Sequence, residues 1–260
     1  FGICVTGDTL VYDAITGRRV RIDQLQHRVG DFYVQGVDED LKTKKARMTY
    51  WVCNGVKPVF KVKLRNGSSV KMTSNHQVLT ETGWQEIGKL NVGDHIATPR
   101  KLETDVVQHT DKNKLRVLAY LLADGALSGC ATTAEFVSKD DVLIEAYQES
   151  LNAFENLEPR TLTQVRDVTR VMVAGVNKKY YHEPNDLVQS LRDWGLKTTK
   201  GGCTSESKFI PEFVFGMSEE QIAFFLASYW DCDGHISDKS VFIKTISPFL
   251  ARDEIGRAHV

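Results

Sequence analysis

The sequence lacks any apolar run that approaches the roughly 20 residues needed to span a bilayer. Its first ten residues show no basic segment followed by an apolar core, so no signal peptide is visible. The net charge is only −1, from 33 basic and 34 acidic residues. These absences exclude a membrane-spanning protein and a strongly basic nucleic-acid coat. The 42% hydrophobic and 26% charged residues predict an ordinary soluble globular chain of one or two domains.

Cysteine is scarce and unpatterned. The five cysteines are an odd number and include no C-x-x-C pair. This excludes a disulfide framework or structural zinc site and favours a reducing, cytoplasmic compartment without membrane association. We expect Cys53, Cys130 and Cys203 to be buried or half-buried small side chains. Cys4 and Cys232 have neighbours that favour a functional interpretation.

Charge and strand patterns divide the chain near residue 105. Residues 1–105 carry 16 basic and 12 acidic residues, net +4, whereas residues 106–260 carry 17 and 22, net −5. The first part contains short strand-like segments, among them Val59–Leu64, Ser69–Met72 and His95–Thr98. Asn66-Gly67 between the first two is a strong hairpin signal. We predict a compact all-β domain over about residues 4–103, followed by an α+β domain.

The second part begins with helical patterns. The run Leu115–Leu122 is apolar almost all round, which indicates a buried helix. Further helices are predicted over Asp140–Leu157, Asp186–Trp194 and Ser218–Trp230, the last with a Ser-x-x-Gln capping box at its start. The alternating segment Thr161–Val173 predicts strands.

Two of these helices end alike. Val117–Gly125 and Leu226–Gly234 are apolar runs that each end in Asp-Gly. Glycine suits a helix end where the backbone is left-handed or closely packed. Aspartate is unfavourable there, because it faces the negative end of the macrodipole. If the helices pack side by side, Asp124 and Asp233 meet at one end and repel unless a divalent cation lies between them.

These two motifs resemble the paired LAGLIDADG motifs of dodecapeptide-type homing endonucleases. Lys208-Phe-Ile-Pro211 and Leu187–Leu196 resemble further blocks of that family, although Ala119 and Leu122 depart from its usual residues. The resemblance implies an α+β endonuclease with pseudo-twofold αββαββα repeats, the second incomplete. It also implies that Asp124 and Asp233 bind Mg²⁺ and activate water to cut double-stranded DNA. Lys208 would stabilise the developing charge or position the water.

A basic stripe lies between the two motifs, where the same family carries its DNA-reading strands. The candidate DNA-binding residues are Arg160, Arg166, Arg170, Lys178 and Lys179. Phosphate neutralisation supplies much of DNA affinity, but the net charge of −5 over this half opposes it. A solvated strand face is an equally good interpretation of the stripe alone.

The first part carries a different signal. Cys4-Val-Thr-Gly-Asp-Thr-Leu-Val is followed by Thr73-Ser-Asn-His76 and later by Ala97-Thr-Pro-Arg. In this order the segments resemble the N-terminal splicing region of inteins, the Hint fold, across nearly all of residues 4–103. The resemblance implies self-catalysed protein splicing that needs no cofactor.

The chemistry of these residues agrees with that resemblance. The Cys4 thiol can attack the preceding carbonyl and convert the Ile3–Cys4 amide into a thioester. His76 is the expected proton donor to the scissile nitrogen, since an imidazole can give a proton at neutral pH. Thr73 is expected to hydrogen-bond the same peptide.

The resemblance also sets expected boundaries. We assign residues 1–3 to the flanking host protein (the extein), 4–104 to the splicing domain and 105–253 to an incomplete endonuclease domain. The segment 254–260 matches neither domain and is interpreted as a non-native tail. The His-Asn block that completes splicing is not found after Gly234, so we expect this chain to be impaired in both activities.

Three alternatives stay open at this point. The first is a splicing-type autoprocessing domain with a degenerate, inactive endonuclease. The second is a LAGLIDADG protein that acts as an RNA-splicing maturase or DNA-binding module. The third, a purely structural pair of domains, leaves Cys4, Thr73 and His76 unexplained.

Overall fold

The computed structural model describes residues 4–65, 67–99, 108–129, 131–164, 168–175, 183–237 and 240–255. The chain divides into two compact units, the first comprising Phe1–Val107 and Ile255–Val260 and the second comprising Gln108–Glu254. The sequence-based boundary after residue 104 falls among residues outside this description, as do residues 1–3, Cys130 and 256–260. No helix of the described residues is long and apolar enough to cross a membrane.

The first unit is built from four antiparallel hairpins among its described residues. These pair β1 (Leu10–Tyr12) with β2 (Arg19–Arg21), β3 (Tyr33–Val37) with β4 (Thr43–Arg47), β5 (Phe60–Lys63) with β6 (Ser69–Met72), and β7 (Gln77–Thr80) with β8 (Gly83–Glu86). The hairpin expected around Asn66-Gly67 is the β5–β6 pair, and Gly67 has a φ of +88°. The all-β prediction for this unit is therefore confirmed.

The strand prediction differs from the structure in two places. The segment expected as a strand at His95–Thr98 forms only an isolated bridge between Ile96 and Thr80. The β3–β4 hairpin carries no clear sequence signal, because β4 reads Thr-Lys-Lys-Ala-Arg and is mostly exposed. A two-stranded ribbon with both faces near solvent does not need alternating apolar residues.

The second unit begins with a helix and sheet arrangement. Its elements are α1 (Lys112–Asp124), β9 (Gly125–Ala126), β10 (Glu135–Ser138), α2 (Asp141–Ser150), β11 (Leu157–Gln164), β12 (Val168–Gly175) and α3 (Asp186–Asp193). The strands form one antiparallel sheet in the order β11-β12-β10-β9. Every residue of α1 from Val117 to Leu122 is buried, as expected for a helix that is apolar all round.

The rest of this unit repeats part of that order. It contains β13 (Lys197–Thr198), β14 (Gly201–Gly202), α4 (Glu219–Asp233), β15 (Gly234–Ser237), β16 (Ser240–Ile243) and α5 (Pro248–Ile255). The Ser218 side chain accepts a hydrogen bond from the Gln221 N–H, so the predicted cap of α4 is confirmed. The expected last residue of the endonuclease domain, Asp253, lies inside α5, where it is buried and accepts a hydrogen bond from the Ile210 N–H.

The two Asp-Gly helices pack against each other. The α1–α4 contact lies within one hydrophobic core that also takes in Phe136, Val171 and Leu250. Both helices end in a glycine with extended backbone, Gly125 at φ −83° and Gly234 at φ −71°. A Cβ atom would lie 2.3 Å from the Leu121 carbonyl oxygen at Gly125 and 2.4 Å from the Trp230 carbonyl oxygen at Gly234. Close packing, and not a left-handed backbone, therefore requires glycine at both ends.

Candidate functional site

The backbone of Cys4 is held by the link between β6 and β7. Val5 bridges to Met72 at the end of β6, and Thr73 follows directly. The Cys4 N–H donates to Thr73 Oγ1 at 3.1 Å, and the Thr73 N–H donates to the Cys4 carbonyl oxygen at 3.0 Å. Thr73 is buried, with 5% of its surface exposed. The predicted contact of Thr73 with the peptide of Cys4 is thus present in the structure.

His76 contacts the next peptide, Cys4–Val5, rather than the scissile Ile3–Cys4 peptide. Its Nδ1 is 3.3 Å from the Cys4 carbonyl oxygen. Because a carbonyl oxygen can only accept, Nδ1 must carry the proton in this contact. Burial lowers the pKa of His76, while the hydrogen bond to Cys4 acts in the opposite direction. The structure therefore places a neutral imidazole at the Cys4 carbonyl, whereas the sequence-based expectation places it at the Cys4 nitrogen.

Asn54 also contacts Cys4, and the motifs do not indicate it. Its Nδ2 donates to the Cys4 Sγ at 3.2 Å. The available sequence signal is the turn dipeptide Asn54-Gly55, and Gly55 has a φ of +71°. A cleft of about 670 Å³ lies beside these residues and is also lined by Thr73 and His76.

The cysteines only partly follow their prediction. Cys203 is half-buried as expected, but Cys53 is exposed. The expectation for Cys53 is therefore wrong; this residue lies in the irregular segment between β4 and β5. Cys130 lies outside the described residues. Burial raises the pKa of the Cys232 thiol, and the neighbouring charges of Asp124 and Asp233 raise it further.

The second unit brings two carboxylates together at the adjoining ends of α1 and α4. Asp124 is the last residue of α1, and Asp233 is the last residue of α4. Desolvation by the surrounding protein raises the pKa of Asp124 to about 6, and the charge of Asp233 adds to that rise. Burial also raises the pKa of Asp233. Two carboxylates so placed are costly to ionise together.

Lys208 lies beside this carboxylate pair. Only 4% of its surface is exposed, and its Nζ donates to the carbonyl oxygens of Leu122 at 2.9 Å and Ala123 at 3.1 Å. Burial lowers its pKa to about 8, against the opposing influence of Asp233 and Asp124. Ser247 Oγ donates to the Lys208 carbonyl oxygen at 2.6 Å and anchors its backbone. Lys208 is therefore buried and hydrogen-bonded, which excludes a simple solvated lysine ahead of Pro211.

Asp124 and Asp233 supply carboxylate oxygens, the ligand type that Mg²⁺ prefers. The described residues contain no cluster of three or more His, Cys, Asp or Glu side chains placed to hold a metal ion. Mg²⁺, however, binds through one or two carboxylates and completes its shell with water and substrate phosphate. A cleft of about 170 Å³ lies beside Asp233 and Lys208, but Asp124 does not line it.

The structure describes only part of the expected DNA-binding stripe. Arg166, Lys178 and Lys179 lie outside the described residues. The β11–β12 register places Arg160 and Arg170 on one face of the sheet, since Arg160 is opposite Met172 and Leu162 is opposite Arg170. Arg160 pairs with Glu158 at 3.3 Å, and Arg170 pairs with Glu135 at 3.2 Å. Nearby glutamates therefore balance both described arginines.

Comparison with known proteins identifies the family. A family model described as "Intein splicing domain" matches residues 14–190, more than half of the chain. The chain belongs to the intein splicing domain family. Membership implies autocatalytic protein splicing, and the match extends from the first unit into the second.

Several curated proteins contain a region that is similar to most of this chain. The replicative DNA helicase DnaB of Synechocystis sp. is 30% identical over 96% of this chain and 29% of its own length. The DnaB helicase of Rhodothermus marinus is 29% identical over 96% of this chain and 27% of its own length. The intein thus spans less than a third of either relative. A solved DnaB intein from Synechocystis sp. is 35% identical over 38% of this chain and 70% of its own, with a TM-score of 0.37.

Proposed function

We propose that the first unit performs the opening step of protein splicing, an N-to-S acyl shift at Cys4. Cys4 Sγ attacks the Ile3 carbonyl carbon, a C–S bond forms and the Ile3–Cys4 C–N bond breaks. The thiol proton ends on the Cys4 nitrogen, so the step is an isomerisation that needs no cofactor or co-reactant. A free thiol is required, which supports a reducing compartment such as the cytoplasm.

The observation that carries this proposal is the pair of contacts on the backbone of Cys4, one on its N–H in the scissile peptide and one on its carbonyl in the next peptide. Thr73 Oγ1 accepts from the nitrogen that must depart, and His76 Nδ1 holds its proton at the carbonyl of the same residue. Thr73 fixes the orientation of the scissile peptide. His76 would supply a proton to the leaving nitrogen after its ring moves from the Cys4 carbonyl, where this structure holds it, to the Cys4 nitrogen. The lowered pKa of His76 keeps the imidazole uncharged at neutral pH until it takes part.

Thiol-induced cleavage tests this step. A reporter protein is fused ahead of Phe1, and dithiothreitol is added to intercept the thioester. The step uses Cys4, Thr73 and His76 and not the C-terminal His-Asn block, so we expect slow but detectable release of the reporter ending at Ile3 from the wild-type fusion and none from Cys4→Ala. Cys53→Ala is the matched control. It should cleave normally, because Cys53 is exposed and is not part of the Ile3–Cys4 bond that breaks. Absence of cleavage from the wild-type fusion would contradict the proposal.

We propose in addition that the second unit is an embedded homing endonuclease of the LAGLIDADG type. The supporting observation is the packing of α1 against α4, which brings Asp124, Asp233 and the buried Lys208 to one place. The order helix, two antiparallel strands, helix occurs both at α1–α2 and at α4–α5, as a pseudo-twofold repeat requires. Bound Mg²⁺ would supply charge stabilisation at a scissile phosphate.

In this site Asp124 and Asp233 would hold the metal, and Lys208 would place positive charge beside the phosphate. The sheet face that carries Arg160 and Arg170 would lie along double-stranded DNA containing the intein-less allele. The ion pairs of those two arginines with glutamate favour the alternative of a degenerate endonuclease that binds DNA weakly.

A plasmid library with random inserts separates these alternatives. An active enzyme linearises or nicks selected plasmids only with Mg²⁺, and Asp124→Asn abolishes the products. A degenerate enzyme gives no products with either chain. A binding assay with both nucleic acids tests the remaining alternative. Binding of RNA without binding of DNA would favour a maturase.

The host protein is also a proposal. The curated relatives that match most of this chain are named as replication proteins, namely DnaB helicases and replication factor C small subunits. We propose that the flanking extein is a replication protein of one of these kinds. The genomic sequence on both sides of the coding region tests this directly, and an unrelated host would contradict it.

A further inference from the structure

Asn54 makes a direct contact with the sulfur atom of the proposed nucleophile. Its Nδ2 lies 3.2 Å from Cys4 Sγ, and it donates one amide hydrogen to that sulfur. The asparagine side chain is exposed and lies between β4 and β5, outside any helix or strand. Neither the Thr73–His76 element nor the Cys4 motif includes it.

Both partners of this contact are attached to anchored backbone. The Trp51 indole N–H, three residues before Asn54, donates to the Ile22 carbonyl oxygen at 2.7 Å. Gly55, directly after it, turns the chain through a left-handed conformation at φ +71°. On the other side, the bridge from Val5 to Met72 fixes the residue after Cys4. The Asn54–Cys4 contact therefore does not depend on a freely moving loop end.

We propose that Asn54 is a further functional residue of the acyl shift, which orients Cys4 Sγ and stabilises negative charge on it during attack. This inference rests on the proposed function of Cys4. An amide N–H favours the thiolate over the thiol, because it can donate to the sulfur but cannot accept from it. Asparagine also carries no charge at any pH, so the contact survives where a titrating partner would be lost.

The test uses reporter fusions of the full chain with Asn54→Ala, Asn54→Asp and Val56→Ala. Val56 lies in the same segment and is fully exposed, so it controls for changes in the loop itself. We expect thiol-induced cleavage to slow roughly 5- to 20-fold in Asn54→Ala, the loss typical of one charge-assisted hydrogen bond near solvent. Asn54→Asp should be slower still, because it keeps the shape but replaces the donor with a repelling carboxylate.

The order of the variants separates the proposed role from a structural one. If Asn54 only supports the loop, the isosteric aspartate retains the wild-type rate better than alanine does. That order would overturn the inference. Rates for both variants within about twofold of wild type would overturn it too, since a lost hydrogen bond to the nucleophile must cost more.

Alkylation provides a second readout that does not require cleavage. Iodoacetamide is added to the same chains, and modification at Cys4 is followed by peptide mass spectrometry, with exposed Cys53 as the internal reference. We expect slower Cys4 alkylation in Asn54→Ala and Asn54→Asp than in wild type. Alkylation at Cys53 should be unchanged in Asn54→Ala, which places no new charge beside it. If wild type fails to cleave yet these alkylation rates differ as expected, the acyl-shift proposal fails while the Asn54–sulfur interaction stands. Equal alkylation in all chains overturns the interaction.

Discussion

The ammonium group of Lys208 lies 2.9 Å from the carbonyl oxygen of Leu122, on the last turn of α1. The end of a helix exposes carbonyl groups without intrahelical partners and carries partial negative charge. A buried lysine there satisfies two carbonyls and also faces the carboxylates of Asp124 and Asp233. The same side chain therefore serves the packing of this unit and the charge of its candidate metal site.

Replacement of Lys208 by methionine should destabilise the second unit. Methionine fills similar space but leaves the Leu122 and Ala123 carbonyls without their donor, at a cost of about 1–3 kcal/mol. Hydrogen-exchange mass spectrometry of α1 peptides across a urea series measures this. The exposed Lys200→Met is the control, and equal protection of α1 in both variants would contradict the prediction.

Asp124→Asn should stabilise the chain without metal and remove its response to magnesium. The pKa of Asp124 is raised to about 6, so at pH 7 the folded state holds an unfavourable charge. Since the carboxylate keeps solvent access, we expect a gain of about 1 kcal/mol at pH 7. Wild type should instead gain stability when Mg²⁺ is added. Thermal unfolding with and without MgCl₂ measures both, with Asp193→Asn as control. A Mg²⁺ response equal to that of wild type in Asp124→Asn would refute the assignment.

The stability of the first unit should fall on acidification because of His76. Its folded-state pKa lies below the ordinary 6.5, so the unfolded state binds the proton first. The contribution of His76 to the free energy of unfolding is therefore fully present above pH 6.5. It is lost as the pH falls through the folded-state pKa. Urea unfolding at about pH 7 and about pH 5.5 should show this loss in wild type and a smaller loss in His76→Asn. Exposed His27→Asn should behave like wild type.

Gly125→Ala and Gly234→Ala should each destabilise the second unit, in which α1 packs against α4. The added Cβ would lie under 2.5 Å from a backbone carbonyl oxygen of the preceding turn, which cannot move aside as a flexible side chain can. Backbone shifts of this kind cost about 1–3 kcal/mol. Gly129→Ala is the matched control, because no atom lies within 4 Å of its Cβ position. The unfolding midpoint in urea tests the prediction, and midpoints that match the control would disprove it.

Local sequence patterns were sufficient for much of the secondary structure. The buried helix α1, the capped helix α4 and the β5–β6 hairpin each carry a short-range signal in periodicity, capping or turn residues. The β3–β4 hairpin was missed because β4 is polar and mostly exposed and has no such signal. The strand expected at His95–Thr98 has a suitable composition but finds only one bridging partner, Thr80.

By itself, the sequence determined the two-part organisation, the Asp-Gly helix ends and the order of Cys4, Thr73 and His76. These depend on neighbours along the chain. Only the tertiary structure decided which atom His76 contacts, that Asn54 reaches the Cys4 sulfur across 50 residues, and that Lys208 is buried rather than solvated. Such contacts are set by how separate hairpins and helices pack, and residue spacing carries no record of that geometry.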